Sequence, residues 1–199
     1  MAQQRKPTEA RQEEVARAAL RILGEQGPAA VTTSALAAAV GVTSGALFRH
    51  FPTVEAIVRQ AAACAVKDVE QTFPEADGPP LDRLLDLAER RVRLLSAQPG
   101  IAWLLRSENA PLSLPPEAVA DLRQVARRSR DFLVEAIREG AGQGSIRDDI
   151  APEVLVVPVI GAIQVLSGLA GVHGRSPRVG DAQVEPVLEA LRRLLARQD

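Results

Sequence analysis

The run Thr43-Ser44-Gly45-Ala46 is the part of the chain whose residue types and spacing best suit a chemical task, and the task is binding rather than catalysis. Small side chains at a helix start let a backbone approach another molecule closely, and the unpaired N–H groups there carry partial positive charge toward phosphate. Catalytic sets are harder to assemble. His50 and His173 are the only histidines and lie far apart in sequence. Cys64 is the single cysteine, which rules out an internal disulfide and a paired-cysteine metal site. No H-E-x-x-H, P-loop or G-x-S-x-G spacing occurs. Glu108 and the Asp148-Asp149 pair have no partner that would make them an acid and a base. The sequence therefore predicts no enzyme, no metal site and no cofactor.

Charge sets a second bound. The 199 residues carry a formal net charge of -1, so a nucleic-acid site must be a local patch. Residues 1–51 hold six Arg/Lys (Arg5, Lys6, Arg11, Arg17, Arg21, Arg49) against four Glu (Glu9, Glu13, Glu14, Glu25), a surplus of two. That predicts modest affinity and a shallow salt dependence for any DNA contact. A lone cysteine fits a reducing compartment, and Met1–Thr8 is polar, unlike a secretory signal, so a cytoplasmic protein is expected. Val154–Val172 has no charged residue and approaches the length of a bilayer span, but Pro158, Gln164 and Ser167 dilute it. It reads as a buried helix, with no membrane partner.

The elements that position these residues are helical throughout, because apolar residues recur at three and four positions. A first helix spans about Thr8–Glu25, with Val15, Ala18, Ala19, Ile22 and Leu23 on its stripe. A second spans Thr33–Val40, capped by Thr32 or Thr33 and ended by Gly41. A third, capped by Thr43 or Ser44, runs to about Phe51. Pro52 stops it, and Thr53 caps a fourth running to about Phe73, with Val58, Ala62, Ala65, Val66 and Val69 in register. Two short helices joined at Gly41-Val42 match a helix-turn-helix, whose second helix enters the major groove. Gly41 supplies the positive φ that such a turn requires.

Past the breakers Pro74–Pro80, helices are expected around Leu81–Leu95, Ile101–Arg106, Pro116–Ala141, from Pro152, and Ala182–Arg197. The helix from Pro152 is apolar all round, more than one core can bury, and a partner subunit can cover the rest. An isologous two-fold dimer is expected through Val157, Gly161, Gln164, Val165 and Gly168 with Leu188, Leu191 and Leu195.

Several ordered matches resemble the TetR family of bacterial regulators. They are Ala18-Ala19-Leu20, Leu23 and Gly27, then Thr32-Thr33-Ser34-Ala35-Leu36-Ala37, and Gly41-Val42-Thr43-Ser44-Gly45-Ala46-Leu47-Phe48-Arg49-His50-Phe51-Pro52. The resemblance covers about residues 11–60. It implies an all-α fold of about nine helices, with a three-helix helix-turn-helix head (residues 1–52) and a ligand-binding and dimerisation body (residues 53–199). It implies a ligand-responsive repressor that binds a palindromic operator in double-stranded DNA as a homodimer. The other reading is a helical small-molecule carrier that has lost specific DNA binding.

Carried over by position, Thr33, Ser34, Thr43, Ser44, Gly45, Ala46, Phe48, Arg49 and His50 form the DNA-facing set. Arg49 has the planar fork for guanine or phosphate, and His50 can donate to a phosphate. Arg5 and Lys6 are candidates for a basic arm. Two positions depart from the pattern. Phe48 stands where a tyrosine hydroxyl often meets phosphate, and Val54 stands where a lysine is common. The implied pocket would be walled by Phe73, Leu84, Trp103, Leu105 and Phe132. Few polar anchors are evident, so a small apolar or amphipathic effector is expected. Arg91, Arg93 and Arg106 could meet an anionic head group, although a solvated face accounts for them better.

Overall fold

The computed structural model describes residues 8–75, 77–168, 170–171, 174–175 and 181–197. Arg5, Lys6 and His173 lie outside these residues. Ten α-helices occur among them: α1 (Thr8–Gln26), α2 (Thr33–Val40), α3 (Ser44–Leu47), α4 (Val54–Glu70), α5 (Pro80–Ala97), α6 (Pro99–Arg106), α7 (Ala110–Ser113), α8 (Pro116–Gly142), α9 (Pro152–Leu166) and α10 (Asp181–Leu195). The helix beyond the expected nine is α7, one turn inside what reads as a proline-rich loop. Its Pro111 sits in the first turn, where a missing N–H costs nothing.

The apolar run Val154–Val172 is not one helix. The Ser167 hydroxyl donates back to the Ile163 carbonyl (2.6 Å), and Gly168 adopts φ 83°, which ends α9. Ala170–Gly171 then pairs antiparallel with Gly174–Arg175. No described helix is long and apolar enough to cross a membrane.

The chain forms two compact units. One comprises the described residues up to Asp68 together with Gln98–Gln124; the other comprises Val69–Ala97 with the described residues from Val125 onward. In the first unit α1 lies directly on α6. A Cβ on Gly100 would fall 1.9 Å from the Leu20 carbonyl oxygen, and one on Gly24 would fall 2.3 Å from the Gly100 nitrogen. The two backbones therefore touch where neither residue has a side chain. Leu20, Ile22, Leu36, Leu47, Phe51, Ile57 and Ile101 fill this unit's core. The apolar face of α4 is centred on Ile57, which is fully buried, rather than on half-buried Val58. Asp68, buried on α4, accepts from Arg17 Nη2 (2.9 Å) and Gln98 Nε2 (3.2 Å), which ties α1, α4 and the start of α6 together. This carboxylate holds the Arg17 guanidinium above its ordinary pKa, mainly by hydrogen bonding.

In the second unit α9 and α10 pack on α5 and on each other. Leu155, Val156, Val159, Ile163 and Leu166 of α9 are buried there, as are Leu188, Leu191 and Leu195 of α10.

Candidate nucleic-acid interface

The head is built by its caps. Thr32, in extended conformation, accepts from the Ala35 N–H (3.2 Å) and starts α2, leaving Thr33 as the first helical residue. Gly41 takes φ 69° and ψ 37°, and the Val42 N–H returns to the Ala37 carbonyl (3.0 Å). This is the left-handed turn that the glycine permits at no steric cost. Two residues on, Thr43 accepts from the Ala46 N–H (3.2 Å) and starts α3. Thr53 does the same for α4 through the Ala56 N–H (3.1 Å).

The third helix is shorter than its sequence pattern suggests. Regular helix ends at Leu47. Arg49 N–H then bonds the Ala46 carbonyl and His50 N–H the Leu47 carbonyl, a tightened three-residue spacing that leads into Pro52. One helical turn has little macrodipole, so phosphate attraction at its start rests on local N–H groups and hydroxyls.

Burial sorts the expected contact residues. Leu36, Leu47 and Phe51 face the core, which fixes the opposite sides of α2 and α3 outward. Ser34, Thr43, Ser44, Gly45, Phe48 and Arg49 are exposed, while Thr33, Ala46 and His50 are half-buried. Phe48 is 46% exposed, a high figure for an aromatic ring. Arg49 forms no ion pair among the described residues, whereas Arg11 pairs with Glu14 and Arg17 with Asp68 and Glu13. The Nδ1 of His50 is buried without a hydrogen-bond partner, so only Nε2 can meet an outside group.

One anchoring residue escapes sequence reasoning. Gln12 Nε2 donates to the His50 carbonyl (3.0 Å) and ties α1 to the end of the recognition turn. Its signal is weak: a polar residue one turn before Val15 on an otherwise apolar stripe.

The expected pocket residues are not one set. Trp103 and Leu105 belong to the first compact unit, and Phe73, Leu84 and Phe132 to the second. Leu84 is fully buried core. Phe73 and Phe132 pack edge to face at 5.6 Å and 76°. Trp103 lines a cavity of about 460 Å³ within the first unit, where Val54 also sits, half-buried.

Of the three arginines, Arg91 is not on a solvated face. It is 8% exposed, and burial pushes its guanidinium down to about 10. It donates to Thr72 Oγ1 (3.0 Å) and Ser129 Oγ (3.2 Å) and lies 5.8 Å from the Phe73 ring centre. Arg93 is exposed and paired with Glu89. Arg106 is half-buried, bonds the Ala102 carbonyl (3.3 Å) and has its pKa lowered by burial.

Among the expected dimer residues, Leu188, Leu191 and Leu195 are spent on the chain's own core. The large apolar side chains left exposed on α9 and α10 are Val154, Val157, Val165 and Leu194. Gln164 is exposed, and Gly161 and Gly168 are half-buried.

Residues 16–61 match the family model described as bacterial regulatory proteins, tetR family. The fold is shared with a ketosteroid transcriptional regulator, KstR2 of Mycobacterium tuberculosis, at TM-score 0.77 and 18% identity, over 94% of this chain and 96% of that one. It is shared also with AibR, solved with isovaleryl coenzyme A and operator DNA, at TM-score 0.73 and 20% identity, over 95% of this chain and 100% of that one. A curated relative named gamma-resorcylate decarboxylase, of Polaromonas sp., is 38% identical over 96 residues, 46% of this chain but 26% of that protein. This chain thus spans about a quarter of that relative's length. The family match and both structures are of regulators rather than enzymes.

Proposed function

We propose that this chain, whose residues 16–61 match the tetR family of bacterial regulatory proteins, is a ligand-responsive repressor that binds a palindromic operator as a homodimer. The observation that carries the reading is the pair of capped helices around Gly41, with Ser34, Thr43, Ser44, Gly45, Phe48 and Arg49 exposed together on α2, α3 and the turn that follows. Exposed hydroxyls and backbone N–H groups hold phosphates and set the register on the duplex, while Arg49 reads a base edge or a further phosphate. The working division is a DNA-binding head (1–52) and a ligand-binding and dimerisation body (53–199). It is a functional division, distinct from the two compact units.

Two heads are needed for a palindrome, and the apolar side chains left uncovered on α9 and α10 support a two-fold interface there. Val157, Gly161, Gln164, Val165 and Gly168 would form the contact with Leu194, while Leu188, Leu191 and Leu195 back it from the core. An effector that favours one spacing of the heads would shift operator affinity through its differential binding to the two states. The chain would act in the cytoplasm and carry out no catalysis.

Selection of duplexes from a random or genomic pool by the purified protein, at two salt concentrations, tests this. The expected result is one palindrome with half-sites about one helical turn apart or slightly more. Recovery of nothing above background would instead place the carrier reading first, with Phe48 and Val54 as the positions where the head has lost phosphate contacts.

A further inference from the structure

The cavity beside Trp103 is walled on one side by the head itself. Leu23 comes from α1, Val58 and Ala61 from the first two turns of α4, and Trp103 and Leu104 from α6. The cavity is open to solvent on one side, where Glu55 and Leu112 are exposed, and its volume of about 460 Å³ falls in the ~300–1,000 Å³ range of small-molecule sites. We propose that this cavity is the effector site of the regulator, and that its ligand is a flat apolar molecule, neutral or cationic but not anionic. The inference rests on the ligand-responsive reading above and names its site and ligand class.

The charge of the lining decides the class. Glu55 is its one charged side chain, and no lysine, arginine or histidine lines the cavity. Glu55 is exposed at the rim and forms no ion pair among the described residues. An anion entering would lose water and gain no partner, which is the costly case of burial. A hydrogen-bond donor or a cation would find the Glu55 carboxylate. An aromatic face is available on Trp103, and such a face attracts both flat rings and cations.

The position decides the consequence. At Gly24 and Gly100 the α1 and α6 backbones are in contact, so these two helices have no room to close further on each other. The opposite wall is the start of α4, which follows the recognition turn through Phe51, Pro52 and the Thr53 cap. A ligand that fills the cavity presses on Val54 and Val58, and so on the segment that leaves the recognition turn.

Trp103 is the sole tryptophan and the chain has no tyrosine, so intrinsic emission reports this cavity. The probes are N-phenyl-1-naphthylamine, neutral with one N–H, and 8-anilino-1-naphthalenesulfonate, which has the same rings plus a sulfonate. The neutral probe should quench Trp103 by energy transfer, saturably, and bind roughly tenfold tighter than the sulfonate. Val58→Phe, which puts a ring into the cavity and narrows it, should weaken the neutral probe by roughly tenfold. Glu55→Lys changes an exposed residue and so spares the core; it should bring the two probes within roughly threefold of each other, and it decides the matter if Val58→Phe fails to fold. Absence of energy transfer, equal affinity for the two probes, or unchanged binding in a folded Val58→Phe chain overturns the site. A protein that selects an operator yet binds neither probe at Trp103 refutes the site and leaves the regulator reading intact. One that binds the neutral probe but selects no DNA refutes the regulator reading, and the cavity's assignment as an effector site falls with it.

Discussion

At the scale of single residues, the head is decided by hydroxyls, the exposed Arg49 guanidinium and one exposed ring. Phe48→Tyr adds a phenolic donor at an exposed position, and one new hydrogen bond to phosphate is worth about 1 kcal/mol. Operator affinity should rise about fivefold per head, with an unchanged salt slope, because no charge is added. Arg49→Ala removes the cation at Arg49, which has no carboxylate partner among the described residues, and should make the slope of log affinity against log salt shallower by about one unit per head. Titration of labelled operator at four salt concentrations separates the two effects; an unaltered slope in Arg49→Ala would take this residue off the phosphates. The capping residues were half legible. Adjacent hydroxyl pairs left Thr32 or Thr33 and Thr43 or Ser44 as equal candidates, because a cap is defined by φ, ψ and which N–H lies in reach. The structure selects Thr32 and Thr43.

At the scale of elements, α5 carries an arginine where its period calls for a core residue. Leu84, Ala88, Arg91 and Leu95 share one stripe and are all buried. That spacing was readable, but arginines such as Arg91, Arg93 and Arg106 suit a solvated face by residue type. No carboxylate pairs directly with Arg91 among the described residues, and Glu70 acts on it only through its charge. Its hydroxyl partners donate elsewhere, Thr72 to the Val69 carbonyl (2.7 Å) and Ser129 to the Val125 carbonyl (2.7 Å). Removing the guanidinium therefore leaves no orphaned donor. Its folded pKa of about 10 lies below the ordinary value, so folding is penalised wherever both states hold the proton, neutral pH included. Arg91→Met should accordingly stabilise the protein by about 1–2 kcal/mol in urea unfolding at pH 7. A loss of stability would show that the bonds to Thr72 and Ser129 outweigh the desolvation of the charge.

At the scale of the whole molecule, the proposed function needs two chains. Val157 is 63% exposed on α9, so a change there spares the chain's own core. Val157→Glu places a charge where a two-fold axis would bring two copies of the face together, and like charges facing each other across an interface are strongly disfavoured. The expected outcome is a folded monomer by light scattering at micromolar concentration, with operator affinity reduced by roughly a hundredfold or more. A variant that remains dimeric would move the interface away from this face. The apolar excess on α9 was visible as composition. Its division between core and surface was not, and neither was the inward turn of Leu188, Leu191 and Leu195.

The chain's sequence alone determined the helical class, the breaks at Gly41, Pro52 and Pro74–Pro80, and the helix-turn-helix with its small-residue start. Each of these follows from local rules: apolar period, the φ freedom of glycine, the missing N–H of proline and cap chemistry. Tertiary structure decided the rest. It brought Gly24 to Gly100 so that α1 and α6 touch, set Asp68 between Arg17 and Gln98, buried Arg91, and left a cavity beside Trp103. These features join residues tens of positions apart. No local period encodes them, because they arise only when whole helices choose which neighbours to pack against.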